Sequence, residues 1–120
     1  MLKGIALVLV LTLPAAAFFH TKLTKAEPGV SATVTTAPTQ IRLWFSEQPE
    51  LALTSVTLEK AADSSVVAKL VLAATDDKKS VAGKIPAPLA AGTYLVVWKT
   101  AATDGHPAKG SYSFTYKPKN

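Results

Sequence analysis

The chain has no cysteine, and its one methionine is Met1. That excludes a disulfide framework, thiolate zinc sites, Cys-ligated iron–sulfur clusters, cysteine nucleophiles and blue-copper centres with a Cys ligand. Histidine occurs twice, at His20 and His106, so no site within one chain can draw on three imidazoles. Charge is sparse as well. Charged residues make up 18% and apolar residues 48%, too apolar a balance for an intrinsically disordered chain. There is no helical stripe of useful length, no glycine-rich phosphate loop, no H-E-x-x-H and no internal repeat. At 120 residues the chain holds one domain of ordinary size.

One long apolar run is present. Residues 5–19 carry no charge and follow a short start with Lys3. The run is shorter than the roughly 20 residues that span a bilayer as a helix. A basic start, an apolar run and the small residues Ala15-Ala16-Ala17 make the pattern of a secretory signal. An uncleaved N-terminal anchor is the alternative, and both imply export. Residues 1–19 are therefore set apart as a leader and residues 20–120 as the domain. A cut after Ala17 satisfies the small-residue rule and leaves Phe18-Phe19-His20; a cut before His20 puts Phe19 at the last leader position. Residues 20–120 carry 12 basic and 8 acidic residues, with lysines scattered and only a small cluster at Lys117 and Lys119. No basic stripe interleaves with aromatics, so a nucleic-acid partner is not expected.

From His20 on, the apolar period is two. Ile41, Leu43 and Phe45 share a face, as do Val56 and Leu58; Val66, Ala68, Leu70 and Leu72; Val81, Gly83 and Ile85; Tyr94, Val96 and Trp98; and Tyr112, Phe114 and Tyr116. Residues 23–25 and 33–36 add short extended pieces. Pro, Gly and Asp clusters separate the runs, among them Glu27-Pro28-Gly29, Gln48-Pro49 and Asp104 to Pro107. About seven short strands in a hundred residues predict an all-β, two-sheet antiparallel sandwich. Trp98 is expected in the core. Trp44 falls on the opposite side of its strand and is expected exposed or lining a site.

Asp104-Gly105-His106 stands between two of these strands. Residues two apart in an extended segment project to one side, so a carboxylate oxygen and an imidazole nitrogen can aim at a common point. Gly105 removes Cβ crowding between them. A plain Asp-Gly turn is the competing reading. His20 is the other imidazole, beside the leader junction. As a first residue it would offer its α-amine and its ring Nδ1 as a chelate. The α-amine loses its proton to a metal near neutral pH. With Asp104 and His106 the set becomes three nitrogens and one oxygen, which suits Cu(II) in a tetragonal arrangement. Soft Cu(I) would want the sulfur that residues 20–120 lack.

The chain resembles the CopC/PcoC family of exported copper-resistance proteins. The likeness runs from His20 to Tyr116. It rests on His20 with Lys22-Leu23, the Glu27-Pro28 turn, Ile41-Arg42-Leu43-Trp44-Phe45-Ser46-Glu47, residues 89–94 leading to Val97-Trp98, and Asp104-Gly105-His106-Pro107 with Gly110 and Phe114. The resemblance implies an immunoglobulin-like Greek-key sandwich or barrel. It implies a Cu(II) site at His20, Asp104 and His106, with Glu47 near it as an outer group. The Met-rich segment of many members is missing, so the chain is similar to the Cu(II)-only type. Phe19 departs from the small residue that usually precedes the first histidine.

The function expected is an exported, non-enzymatic copper carrier or buffer, periplasmic and monomeric, which passes its ion to or from a membrane copper transporter. Two readings stand beside it. One is a histidine-brace copper oxygenase, which Asp104 opposes by filling a position that oxygen would need. The other is a metal-free immunoglobulin-like interaction domain in which Asp104-Gly105-His106 is only a turn. Zinc is a variant of the first.

Overall fold

The computed structural model describes residues 21–120 together with Gly4. The strands are β1 Leu23–Glu27, β2 Thr33–Val34, β3 Gln40–Phe45, β4 Ser55–Lys60, β5 Val66–Lys69, β6 Leu72–Ala74, β7 Ser80–Lys84, β8 Gly92–Ala101 and β9 Pro107–Tyr116. One 3-10 turn, Leu51–Leu53, links β3 to β4. The strands form two sheets, β1-β3-β7-β6 and β2-β9-β8-β4-β5. Pairing is antiparallel except at the two-residue β2, which runs parallel to β9. This is the all-β Greek-key sandwich expected.

Alternation builds the core. Ile41, Leu43 and Phe45 of β3 face Val56 and Leu58 of β4, Tyr94, Val96 and Trp98 of β8, and Tyr112 and Phe114 of β9, all in one buried cluster. Burying a side chain such as Leu43 or Phe114 stabilises by about 1.5–3 kcal/mol. Phe45 meets the edge of Trp98 with ring centroids 5.3 Å apart, and Tyr94 stacks on Phe114 at 5.6 Å. Trp98 is in the core, as expected. Trp44 lies on the outer side of β3, half-buried between Lys25 at 4.6 Å and Arg42 at 4.5 Å from its ring centroid.

The described residues hold nine strands rather than about seven. The run from Val66 to Leu72 reads as one alternating strand, but the chain changes sheets inside it. Leu70 is buried between the layers, Val71 is 89% exposed, and β5 and β6 then belong to different sheets. Crossing from one layer to the other needs a break in pairing, and no Pro or Gly marks it.

Two features build the end of the sandwich that carries Asp104 and His106. β8 and β9 form a long hairpin, in register from Gly92 opposite Tyr116 to Ala101 opposite Pro107. Residues 102–106 are its tip. At the same end, the chain after β3 is held to the hairpin: the Glu50 amide donates to the Ala101 carbonyl at 2.8 Å, and Pro49 bridges to Ala102.

Candidate metal centre

The tip of the β8–β9 hairpin carries Asp104, Gly105 and His106. The Gly105 amide donates to the Ala102 carbonyl at 2.8 Å and closes the tip. Gly105 has φ +83°, the left-handed region that L side chains enter at a cost. The His106 amide then donates to Asp104 Oδ1 at 3.0 Å, and His106 Nδ1 lies 3.1 Å from Asp104 Oδ2. Asp104 and His106 do meet. They meet through a tight turn capped by the Asp carboxylate, not through the extended backbone expected from the spacing. The turn and the paired donors are one structure.

Both side chains remain more than half exposed, His106 at 64% and Asp104 at 53%. The His106 amide, and after it the His106 ring, hold the Asp104 carboxyl below its usual range. A carboxylate so held is ionised and acts as an acceptor. When Nδ1 donates to this carboxylate, the lone pair of a neutral ring lies on Nε2, the nitrogen then fitted to a metal. The arrangement is half of a site. Among the described residues no group of three His, Cys, Asp or Glu side chains is placed to hold a metal ion. A metal bound here needs a further donor.

His20 lies outside the described residues. The residues directly after it are described. Thr21 is buried, the Lys22 amide donates to Ser46 Oγ at 2.9 Å, and the Ser46 amide donates back to the Lys22 carbonyl at 2.8 Å. Ser46 leads into Glu47, and the same segment reaches Ala101 and Ala102 through Glu50 and Pro49. The start of the described fold and the hairpin tip therefore share one end of the sandwich. Glu47 is half-buried in the bend between these attachments. Ser46, the residue that fixes the incoming chain, was not expected from the sequence. Its signal is faint: a lone serine at the end of an apolar strand.

The CopC domain model matches residues 23–117. The chain belongs to the CopC family. Copper resistance protein C of Xanthomonas campestris pv. juglandis is 37% identical over 110 residues, which are 86% of this chain and 84% of that protein. The crystal structure of CopC from Methylosinus trichosporium OB3b superposes with a TM-score of 0.76 at 27% identity, covering 84% of this chain and 97% of the other. PcoC, a methionine-rich copper resistance protein from Escherichia coli, gives 0.72 at 34% identity over 82% of this chain and 99% of PcoC. A longer CopC relative, copper transport protein CutJ of Bacillus subtilis, is 24% identical over 111 residues; these are 92% of this chain but 20% of CutJ.

Proposed function

We propose that the chain is an exported, non-enzymatic copper carrier or buffer that holds one Cu(II) through His20, Asp104 and His106. The observation that carries this reading is the hydrogen bonding around Ser46, which sets the backbone after His20 at the end of the sandwich where Asp104 and His106 pair. The names of the relatives, copper resistance and copper transport proteins, support the copper function and give no support to an enzyme.

Residues 1–19 act as a secretory leader, and its removal frees the His20 α-amine. The amine and the His20 Nδ1 chelate the ion. One Asp104 oxygen and one His106 ring nitrogen complete three nitrogens and one oxygen, a donor set for Cu(II), and the hydrogen bond between His106 Nδ1 and Asp104 gives way to the ion. The chain has no Cys and no Met after Met1, so it offers Cu(I) no soft donor. Glu47 acts outside the ligand set, steadying the cationic centre from the bend after Ser46. The hairpin tip holds two of the donors side by side, so binding orders little new chain. The protein works in the periplasm as a monomer and exchanges its ion with a membrane copper transporter. The match to one part of the longer CutJ supports that partner, since there a CopC-like segment and the rest of a copper transport protein share a chain.

The test is the intact mass of the exported protein with and without one equivalent of Cu(II). A chain that begins at His20 and gains one copper supports the amine–imidazole chelate. A chain that begins at Phe18 or Met1 removes the amine ligand and sinks the site as drawn.

A further inference from the structure

We infer that the metal-bearing end of the sandwich is also a docking face for an anionic lipid surface. This inference rests on the reading of the chain as an exported copper carrier.

On the four-stranded sheet two cations are matched and flank Trp44: Lys25 lies 3.6 Å from Glu27 and Arg42 3.7 Å from Asp76, while Lys84 of β7 has no carboxylate within ion-pair distance among the described residues. On the five-stranded sheet Lys69, Lys99 and Lys109 all project outward, because their neighbours Ala68, Trp98 and Thr100 face the core. Lys99 stands directly opposite Lys109. Like charges so placed on one face destabilise a sheet. Among the described residues none of these three lysines has a carboxylate within ion-pair distance. Glu59 shares the outer face of β4, two residues beyond the Thr57 that pairs with Lys69 and four beyond the Ser55 that pairs with Lys99, and makes no ion pair with either lysine. Glu50 and Asp77 line a hollow on the far side of Leu51, which borders both this hollow and that of Lys69 and Lys99, and neither of these carboxylates pairs with Lys69, Lys99 or Lys109.

Apolar surface interleaves with these lysines. The turn Leu51–Leu53 buries none of its residues, and Leu51 and Leu53 are 39% and 58% exposed. Leu53 joins Ala101, Pro107 and Ala108 around a hollow of about 630 Å³ rimmed by Lys99 and Lys109. Leu51 lies beside Lys69 and Lys99 in an adjoining hollow of about 430 Å³. Exposed leucines ringed by unmatched lysines suit a surface that is anionic outside and apolar beneath. The route of the chain favours lipid over an acidic protein. The chain enters the fold at this same end, through Lys22 on Ser46, and the uncharged run of residues 5–19 precedes it in sequence. As a leader that is later removed, that run brings this end of the chain to the bilayer first during export. Docking there sets Asp104 and His106 against the membrane, where a membrane-bound acceptor of copper stands.

Each lysine at an anionic bilayer surface contributes roughly fivefold in partitioning, so three contribute about a hundredfold. Burial of Leu53 adds about tenfold. The experiment sediments residues 20–120, which lack the leader, with mixed phosphatidylglycerol–phosphatidylethanolamine vesicles and with phosphatidylcholine vesicles. Poly-L-glutamate in solution is a third arm, and copper stoichiometry is measured on the same samples. The expected result is partitioning onto the anionic vesicles alone, released by molar salt. The triple variant Lys69→Gln, Lys99→Gln, Lys109→Gln should lower it about a hundredfold, and Leu53→Ser about tenfold. Glu59→Gln, on the same sheet, should leave it unchanged or raise it slightly. All these residues lie at the surface, and unaltered thermal melting certifies the fold of each variant. No binding of the parent chain, or binding indifferent to Leu53 and to the lysines, overturns the inference. So does binding to polyglutamate without binding to vesicles, which would assign the face to an acidic protein. Docking without copper uptake would sink the carrier reading alone; copper uptake without docking would sink the lipid face alone.

Discussion

A Cβ built on Gly110 would lie 2.5 Å from Cζ2 and 2.8 Å from Cε2 of Trp98, its cross-strand partner. The Trp98 indole covers the position where a side chain would stand. The indole is rigid and packed against Phe45, so it has little room to give way. Gly110→Ala should therefore destabilise the fold by about 1–3 kcal/mol, the usual cost of overpacking a core, and a urea melt measures it. An unchanged midpoint would mean that Trp98 is free to move. His106→Ala makes the opposite demand. Its side chain is exposed at a hairpin tip, so thermal stability should move by less than about 0.5 kcal/mol, while Cu(II) affinity falls at least tenfold. If calorimetry finds the copper affinity unchanged, Asp104-Gly105-His106 is only a turn. At this scale the sequence was legible where chemistry is local. The interior place of Trp98 follows from alternation, and the nearness of Asp104 to His106 was expected, but it comes from the Asp-Gly turn and not from the extended spacing. The setting of Trp44 does not, because Lys25 and Arg42 reach its ring from two different strands.

Among the elements, β1 matters to the proposed centre although it supplies none of the described donors. Its lead-in is tied to the end of β3 by the two hydrogen bonds between Lys22 and Ser46. Ser46→Ala removes one of them, the bond from the Lys22 amide to Ser46 Oγ. A bond of this kind contributes about 0.5–1.5 kcal/mol. The fold should survive the loss, since β1 keeps its ladder to β3 from Leu23 opposite Phe45 to Glu27 opposite Arg42. The copper site should suffer more than the fold, because the freed residues are those next to His20. The expected result is a several-fold loss of Cu(II) affinity with a thermal midpoint within a few degrees of the parent. Equal affinity would detach His20 from the centre. The strands themselves were mostly legible as period-two runs. The division of residues 66–74 between β5 and β6 was not, because local alternation continues through Leu70 while the long-range pairing changes sheet. The pinning of Lys22 to Ser46 was hidden for the same reason: a contact across 24 residues leaves no mark on the pattern of either segment.

For the whole molecule, the proposed donors divide into two groups that respond differently to unfolding. The His20 amine and ring are adjacent in the chain, so their chelate survives in the unfolded state. In the proposed site Asp104 and His106 join that chelate only in the folded chain. A ligand held a thousandfold above its dissociation constant stabilises a fold by about 4 kcal/mol if it ignores the unfolded chain. Copper here should give less than its own affinity implies, because the unfolded chain keeps part of the site. His106→Ala should abolish the copper-dependent rise in thermal midpoint while leaving residual binding at the N-terminus. The response to pH separates the donors further. The Asp104 carboxyl is lowered, so it stays ionised as pH falls from about 7 to 5, and its own contribution to stability is lost only below about pH 4. The nitrogen donors must shed protons to bind the metal, and imidazoles in general take them up near pH 6.5. The copper-dependent rise should therefore be full near pH 7.5 and gone by about pH 5, with the metal-free midpoint little affected by Asp104 across that window. Scanning calorimetry at both pH values, with and without copper, measures it. A rise that persists at pH 5 would point to oxygen donors, Glu47 among them, and would remove His20 and His106 from the ligand set.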